Sequence, residues 1–221
     1  VIYDELVQKI CHGANPFQGF PRKLYSPDMQ GWNSHHRFLT DSITEFRPRT
    51  IVEVGVWKGL STMTMAKRVK AINYDAAIVA VDTWLGSSEH SIRPAYREDL
   101  CHVFGYPSLY YTFAANVVQQ KLQDVIVPLP LDSGNAAVAL QALAIEIDMI
   151  HIDGAHDYEG VLADLERWWP LLKPGAVVVM DDYDPSGKIW PSVRQAVDEF
   201  TAKKEVLGFL AEPYKARFQK M

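Results

Sequence analysis

The stretch Ile51-Val52-Glu53-Val54-Gly55-Val56-Trp57-Lys58-Gly59-Leu60-Ser61-Thr62 constrains this chain more than any other. A β-branched apolar run carrying an acid breaks at a glycine turn, and Ser61 and Thr62 open a segment of helical character. Met63, Ala66 and Val69 then give that segment a narrow apolar face. The pattern is a strand, a tight loop and a helix start. Glycines let a backbone approach a ligand closely, and the free amides of a helix N-terminus favour polar or anionic ligand atoms. Glu53 would repel a phosphate, so the loop suits a ligand with hydroxyls and a positive charge. Gly55-x-x-x-Gly59 fails the dinucleotide spacing G-x-G-x-x-G, and Lys58-Gly59 lacks the G-K-[ST] order of a phosphate loop.

The same strand-then-acid pattern recurs downstream. Residues 77–81 form an apolar run ending at Asp82, residues 145–152 end at Asp153, and residues 176–180 end at Asp181-Asp182. Continuous apolar runs fit strands covered on both faces, as in a parallel sheet. Residues 125–129 supply another strand, which Pro128 places near an edge. Helices are expected over 34–46, 109–122, 133–143, from Tyr158 through Trp169, and over 192–201, with Lys173-Pro174-Gly175 as a turn. Residues 205–210 and 214–218 read as a closing hairpin. The paired Trp168 and Trp169 fall at helical spacing with Val161 and Leu165, which makes them core. The expected architecture is α/β, a doubly wound, mostly parallel sheet with helices on both faces and a C-terminal antiparallel hairpin.

A chain of 221 residues is read as one domain with a full core. Residues 1–40, with Pro16, Gly19, Pro21 and Pro27 among exposed-looking aromatics, do not read as core; they read as a lid or arm, which makes a homodimer conceivable. Residues 83–108 are long for a strand-to-helix link and read as an active-site lid. A net charge of −5 without a basic block argues against nucleic acid as partner. No apolar run has membrane-spanning length and no signal peptide is visible, so no membrane partner is expected and the location expected is cytoplasmic. Cys11 and Cys101 lack metal-ligand spacing and read as free thiols.

Three carboxylates, Asp153, Asp181 and Asp182, meet at one rim if their strands are neighbours. Bare, they would repel and one would keep a proton; a divalent cation such as Mg2+, held by two or three carboxylates, removes that conflict. The competing reading makes Asp181 and Asp182 turn residues. Asp82 sits where an acid meets ribose hydroxyls, or else caps the next segment. His156, in the loop after Asp153, is a candidate general base, or else the lead-in to a helix opened by Asp157. His151, inside a buried strand, reads as a hydrogen-bonded core histidine.

The glycine stretch resembles the first motif of class I S-adenosylmethionine-dependent methyltransferases, in the form E-x-G-x-x-x-G-x-S-T. The segment from Ile147-Asp148-Met149-Ile150-His151-Ile152-Asp153-Gly154-Ala155-His156-Asp157-Tyr158 through Asp182 looks like the metal-dependent small-molecule O-methyltransferases, particularly those acting on macrolide-type sugars. The resemblance covers about residues 32–200. It implies S-adenosylmethionine across Glu53, Gly55, Gly59, Ser61, Asp82 and Asp153, with adenine near Asp132 and Ser133. It further implies Mg2+ on Asp153, Asp181 and Asp182, catalysis by His156 and Asp153, and a small-molecule hydroxyl as acceptor. N-capping alone also accounts for Asp132 and Ser133. Two rivals stand beside this reading: an oxygen-dependent hydroxylase on the same scaffold, and a noncatalytic partner that keeps the fold.

Overall fold

A computed structural model describes residues 1–221. The chain order is α1 (Ile2–Ile10), α2 (Arg37–Phe46), β1 (Thr50–Val54), α3 (Leu60–Ala71), β2 (Ala77–Val81), α4 (Ser88–Ile92), α5 (Pro94–Arg97), α6 (Leu109–Gln119), β3 (Ile126–Leu129), α7 (Ser133–Ala142), β4 (Ile147–Ile152), α8 (Tyr158–Trp168), β5 (Leu172–Asp181), α9 (Pro191–Lys203), β6 (Val206–Glu212) and β7 (Lys215–Lys220). Seven strands form one sheet in the order β3-β2-β1-β4-β5-β7-β6. β1 to β5 run parallel, whereas β7 pairs antiparallel with both β5 and β6. The hairpin thus enters the sheet through its second strand. Strand order reverses between β1 and β4, so the loops leaving these two strands diverge and open a crevice at their carboxyl ends.

Alternation along each strand divides the apolar residues between two faces. Val52, Val54, Ile150, Ile152, Val178 and Met180 join the core beneath α1, α7, α8 and α9. Ile51, Met149, Val177 and Val179 join the other, beneath α2, α3 and α6. Glu53, His151, Asp181 and Lys215 therefore fall on the α2–α3 face, where β1, β4, β5 and β7 bury all four. A polar row is set into an apolar layer, and each member must find a partner there.

Several boundaries differ from the sequence reading. α1 buries Leu6 and Val7 and Phe17 is buried too, so the first forty residues are not uniformly peripheral. The proline- and glycine-rich character starts only after Cys11 and conceals the short amphipathic helix before it. α2 starts at Arg37 rather than residue 34, because His36 is its N-cap and accepts the amide of Phe38 at 3.2 Å. Lys173-Pro174-Gly175 is not a free turn: pairing jumps from Leu172 to Val177 along β5, with Gly175 at φ +82°, a bulge inside the strand. β3 lies at the sheet edge, where Pro128 needs no partner for a missing amide. Trp168 is fully buried, and Trp169 packs against the same core.

Candidate active site

The loop after β1 is braced by an acid from β2. Asp82 Oδ2 accepts the amides of Val56 and Trp57, both at 2.8 Å, and Oδ1 accepts that of Trp84 at 2.7 Å. Burial pushes the Asp82 carboxyl up, while these three amides pull it back. Asp82 therefore shapes the loop, and only the lone pairs left over can meet a ribose.

Glu53 is fully buried. Its Oε2 accepts from Thr62 Oγ1 in the first turn of α3, and its Oε1 meets His151 Nδ1 at 2.8 Å. The carboxylate expected to face the donor is enclosed by protein on both oxygens. Strand alternation is the reason: Glu53 points beneath α3, not into the loop. Any contribution it makes to donor binding passes through the seating of α3.

Gly55 and Gly59 both have positive φ, +84° and +86°. A Cβ on Gly55 would lie 1.9 Å from the Asp153 carbonyl oxygen, and one on Gly59 would lie 2.6 Å from Phe113 Cδ2. Both positions are demanded by protein packing at the crevice, whatever ligand approaches. Ser61 is buried in the first turn of α3. Asp132 caps α7, accepting the Asn135 amide at 3.0 Å. Ser133 Oγ donates to Asp164 Oδ1 at 2.5 Å and accepts from Trp168 Nε1 at 2.9 Å, so its hydroxyl is engaged inside the fold.

Asp181 and Asp182 end β5 facing opposite ways, because Asp182 takes a left-handed conformation at φ +56°. Asp182 Oδ2 turns outward and meets His156 Nε2 at 2.9 Å. His156 also stacks on Trp190, with ring centroids 4.4 Å apart. The hydrogen bond to Asp182 pushes the His156 pKa up, and partial burial opposes it without prevailing. Asp157 caps α8 through the Gly160 amide at 2.8 Å, leaving the imidazole of His156 outside the helix.

Asp181 turns inward. Its Oδ2 lies 2.6 Å from Lys215 Nζ and 3.8 Å from His151 Nε2. Lys215 is fully buried and its ammonium also reaches His151 Nε2 at 3.1 Å. An ammonium has donors only, so His151 Nε2 accepts from Lys215 and Nδ1–H donates to Glu53. Burial works to raise Asp181, but the Lys215 ammonium beside it holds it below the ordinary carboxylate range. Burial and then the neighbouring Asp181 push Asp153 well above that range, with Lys215 pulling the other way.

The expected trio of carboxylates is accordingly split. Donor atoms lie within 4.8 Å of one another in two groups, His151–Asp153–Asp181 and Asp153–His156–Asp182. The inner group does not fit a cation, since both His151 nitrogens and one Asp181 oxygen are already engaged. The outer group suits one better: Asp182 Oδ2 meets His156, but the other Asp182 oxygen has no hydrogen-bond partner, and oxygen donors of this kind are what Mg2+ prefers. Lys215 was missed by sequence reading; the signal was a lysine in the closing hairpin, opposite a strand that ends in two acids.

Residues from both expected cover segments converge on the glycine loop. Lys58 Nζ is buried and meets Asp28 at 2.6 Å and Asp99 at 3.4 Å. Trp57 Nε1 donates to Gln30 at 2.7 Å, and its ring lies 4.9 Å from that of His90. No helix is long and apolar enough to cross a membrane.

A family described as "Methyltransferase domain" matches residues 52–183. The uncharacterized protein y4gI of Sinorhizobium fredii is 30% identical over 152 residues, covering 68% of this chain and 15% of that protein. The uncharacterized protein R132 of Acanthamoeba polyphaga mimivirus is 25% identical over 171 residues, which cover 72% of this chain and 66% of that protein. The chain thus spans less than two thirds of either relative. Among solved structures, the O-methyltransferase from Bacillus cereus in complex with SAH has a TM-score of 0.59 at 18% identity, covering 99% of this chain and 90% of that one. The O-methyltransferase TomG from Streptomyces achromogenes, in complex with SAM, has a TM-score of 0.55 at 14% identity, covering 100% and 90%. At these identities the likeness is one of fold.

Proposed function

The chain belongs to the methyltransferase-domain family, and from that premise we propose that it transfers the methyl group of S-adenosylmethionine to a hydroxyl of a small molecule, a sugar or phenol of a natural product. One observation carries the reading. The Asp82-braced loop and the outer group Asp153, His156 and Asp182 meet across the crevice at the strand-order reversal, with Gly55 pressed against Asp153.

The donor lies along Gly55, Gly59 and Ser61, with Asp82 at its ribose and Asp132 and Ser133 towards its adenine. Glu53 acts from beneath by seating Thr62. Asp153 borders donor and acceptor alike. Asp153 and Asp182 would hold a divalent cation, Mg2+ by the preference of oxygen ligands, which when bound favours the alkoxide and fixes its oxygen. His156 takes the acceptor's hydroxyl proton, and Asp182 stabilises the imidazolium that results. The acceptor oxygen bonds the methyl carbon as the carbon–sulfur bond breaks, leaving a methyl ether and S-adenosylhomocysteine. Beyond the proton, the residues supply positioning and electrostatics.

Calorimetric titration of S-adenosylmethionine into the folded protein, in magnesium buffer, tests the donor half. Micromolar binding is expected, and no detectable heat at millimolar donor would sink the proposal. The acceptor half is tested with sugar and phenol acceptors, with and without chelator. His156→Ala and Asp153→Ala are expected to abolish turnover; full activity in both would move catalysis elsewhere.

A further inference from the structure

We propose that Lys215 is the resident cation of this carboxylate cluster: its ammonium holds Asp181 inside the fold, leaving Asp153 and Asp182 alone to meet a divalent cation at the rim. The inference rests on the reading that a cation meets the acceptor there.

Geometry carries it. Lys215 stands directly opposite Asp181 in the β5–β7 ladder and is fully buried, 2.6 Å from Asp181 Oδ2 and 3.1 Å from His151 Nε2. Both contacts are charge-assisted or ammonium-donated hydrogen bonds in a water-poor layer. Behind them the row continues through His151 to Glu53 and from Glu53 to Thr62, with each donor facing an acceptor. Lys215 cannot swing away without stranding both Asp181 and His151 Nε2. A cation entering the inner group would have to lie beside the ammonium, where like charges repel. Asp182 faces the other way, and the left-handed turn at that residue keeps its carboxylate on the crevice side. Lys215 is in this sense a positioning residue: it sets which acids are available and touches no reacting atom.

The test uses Mn2+ alone, followed by the loss of its free electron paramagnetic resonance signal. Wild type is compared with Asp182→Asn, Lys215→Gln and the double variant Lys215→Gln/Asp181→Asn. Glutamine keeps a donor at position 215, and the double variant removes both charges of the pair together, so the net charge of the row is conserved. The wild type is expected to bind one Mn2+. Asp182→Asn should weaken binding about tenfold or more, as loss of a ligand does. The double variant should stay within about threefold of wild type, since the pair supplies no ligand and no net charge. Lys215→Gln alone should tighten binding about tenfold, because Asp181 is released as an unopposed anion. A double variant as weak as Asp182→Asn would make Asp181 a ligand and overturn the proposal, as would a wild type that binds no Mn2+ at millimolar concentration. Circular dichroism checks the fold of each variant, and the double variant decides the matter should Lys215→Gln not fold. S-adenosylmethionine binding, measured on the same samples, should be unchanged throughout; its loss in the wild type would instead count against the donor reading.

Discussion

A methyl group on Gly55 would collide with the backbone of Asp153, which cannot move without shifting the end of β4, and φ +84° already disfavours any side chain. At Gly59 the backbone strain is the same, but the obstacle is the ring of Phe113, a buried side chain packed on Trp84 rather than a strand end. Gly55→Ala is therefore expected to lower the unfolding free energy by about 3 kcal/mol or more, and Gly59→Ala by about 1–2 kcal/mol. Urea denaturation of both variants measures this, and equal losses would contradict the distinction between backbone and side-chain obstacles. Both glycines were legible in the sequence as a tight loop. Their partners were not, because Phe113 and Asp153 come from distant elements. The same limit applies to Glu53. Its place after two apolar residues announced a strand end, yet only the pairing of β1 with β4 puts His151 beside it.

At the scale of elements, the strands were readable because buried parallel strands are written as unbroken apolar runs, and the helices because α8 and α2 repeat their apolar residues every three or four positions. Covering segments carry no such period. What holds the N-terminal segment to the glycine loop is an ion pair, Lys58 with Asp28, supported by the Asp28 amide donating to Asn116 Oδ1 at 2.8 Å. The hydrogen bond from Lys58 holds Asp28 below the ordinary carboxylate range, against mild desolvation. A carboxylate with a depressed folded-state pKa stabilises the fold fully above its unfolded value of about 3.9, and that contribution is lost as pH falls through the folded value. The segment should therefore stay docked at neutral pH and release only in acid. Asp28→Asn is expected to raise hydrogen exchange at the Asp28-to-Gln30 amides near neutrality, and to leave it unchanged only once pH has fallen below the depressed folded-state value, where wild type has lost the charge as well. Equal protection of mutant and wild type at neutral pH would show that packing alone docks the segment.

For the whole molecule, the buried polar row joins the first strand of the sheet to its last hairpin. Glu53 on β1, His151 on β4, Asp181 on β5 and Lys215 on β7 make one connected line. Breaking a buried pair by removing one partner is far more damaging than replacing both, because the survivor keeps its desolvation penalty. Lys215→Met should lower the unfolding free energy by about 3–5 kcal/mol. Adding Asp181→Leu should restore part of that loss, since no charge then remains stranded. Recovery stays incomplete, for His151 Nε2 loses its donor, at about 1–3 kcal/mol for an unpaired buried group. The two variants, unfolded in urea with a common slope, distinguish a sealed row from a hydrated one. If Lys215→Met costs less than about 1 kcal/mol, water reaches Asp181 and the row is open. A large loss that Asp181→Leu partly reverses means that the Lys215 ammonium is what compensates the carboxylate's charge in the dry layer. The rim of the crevice then carries only the acids that β4 and β5 turn outward.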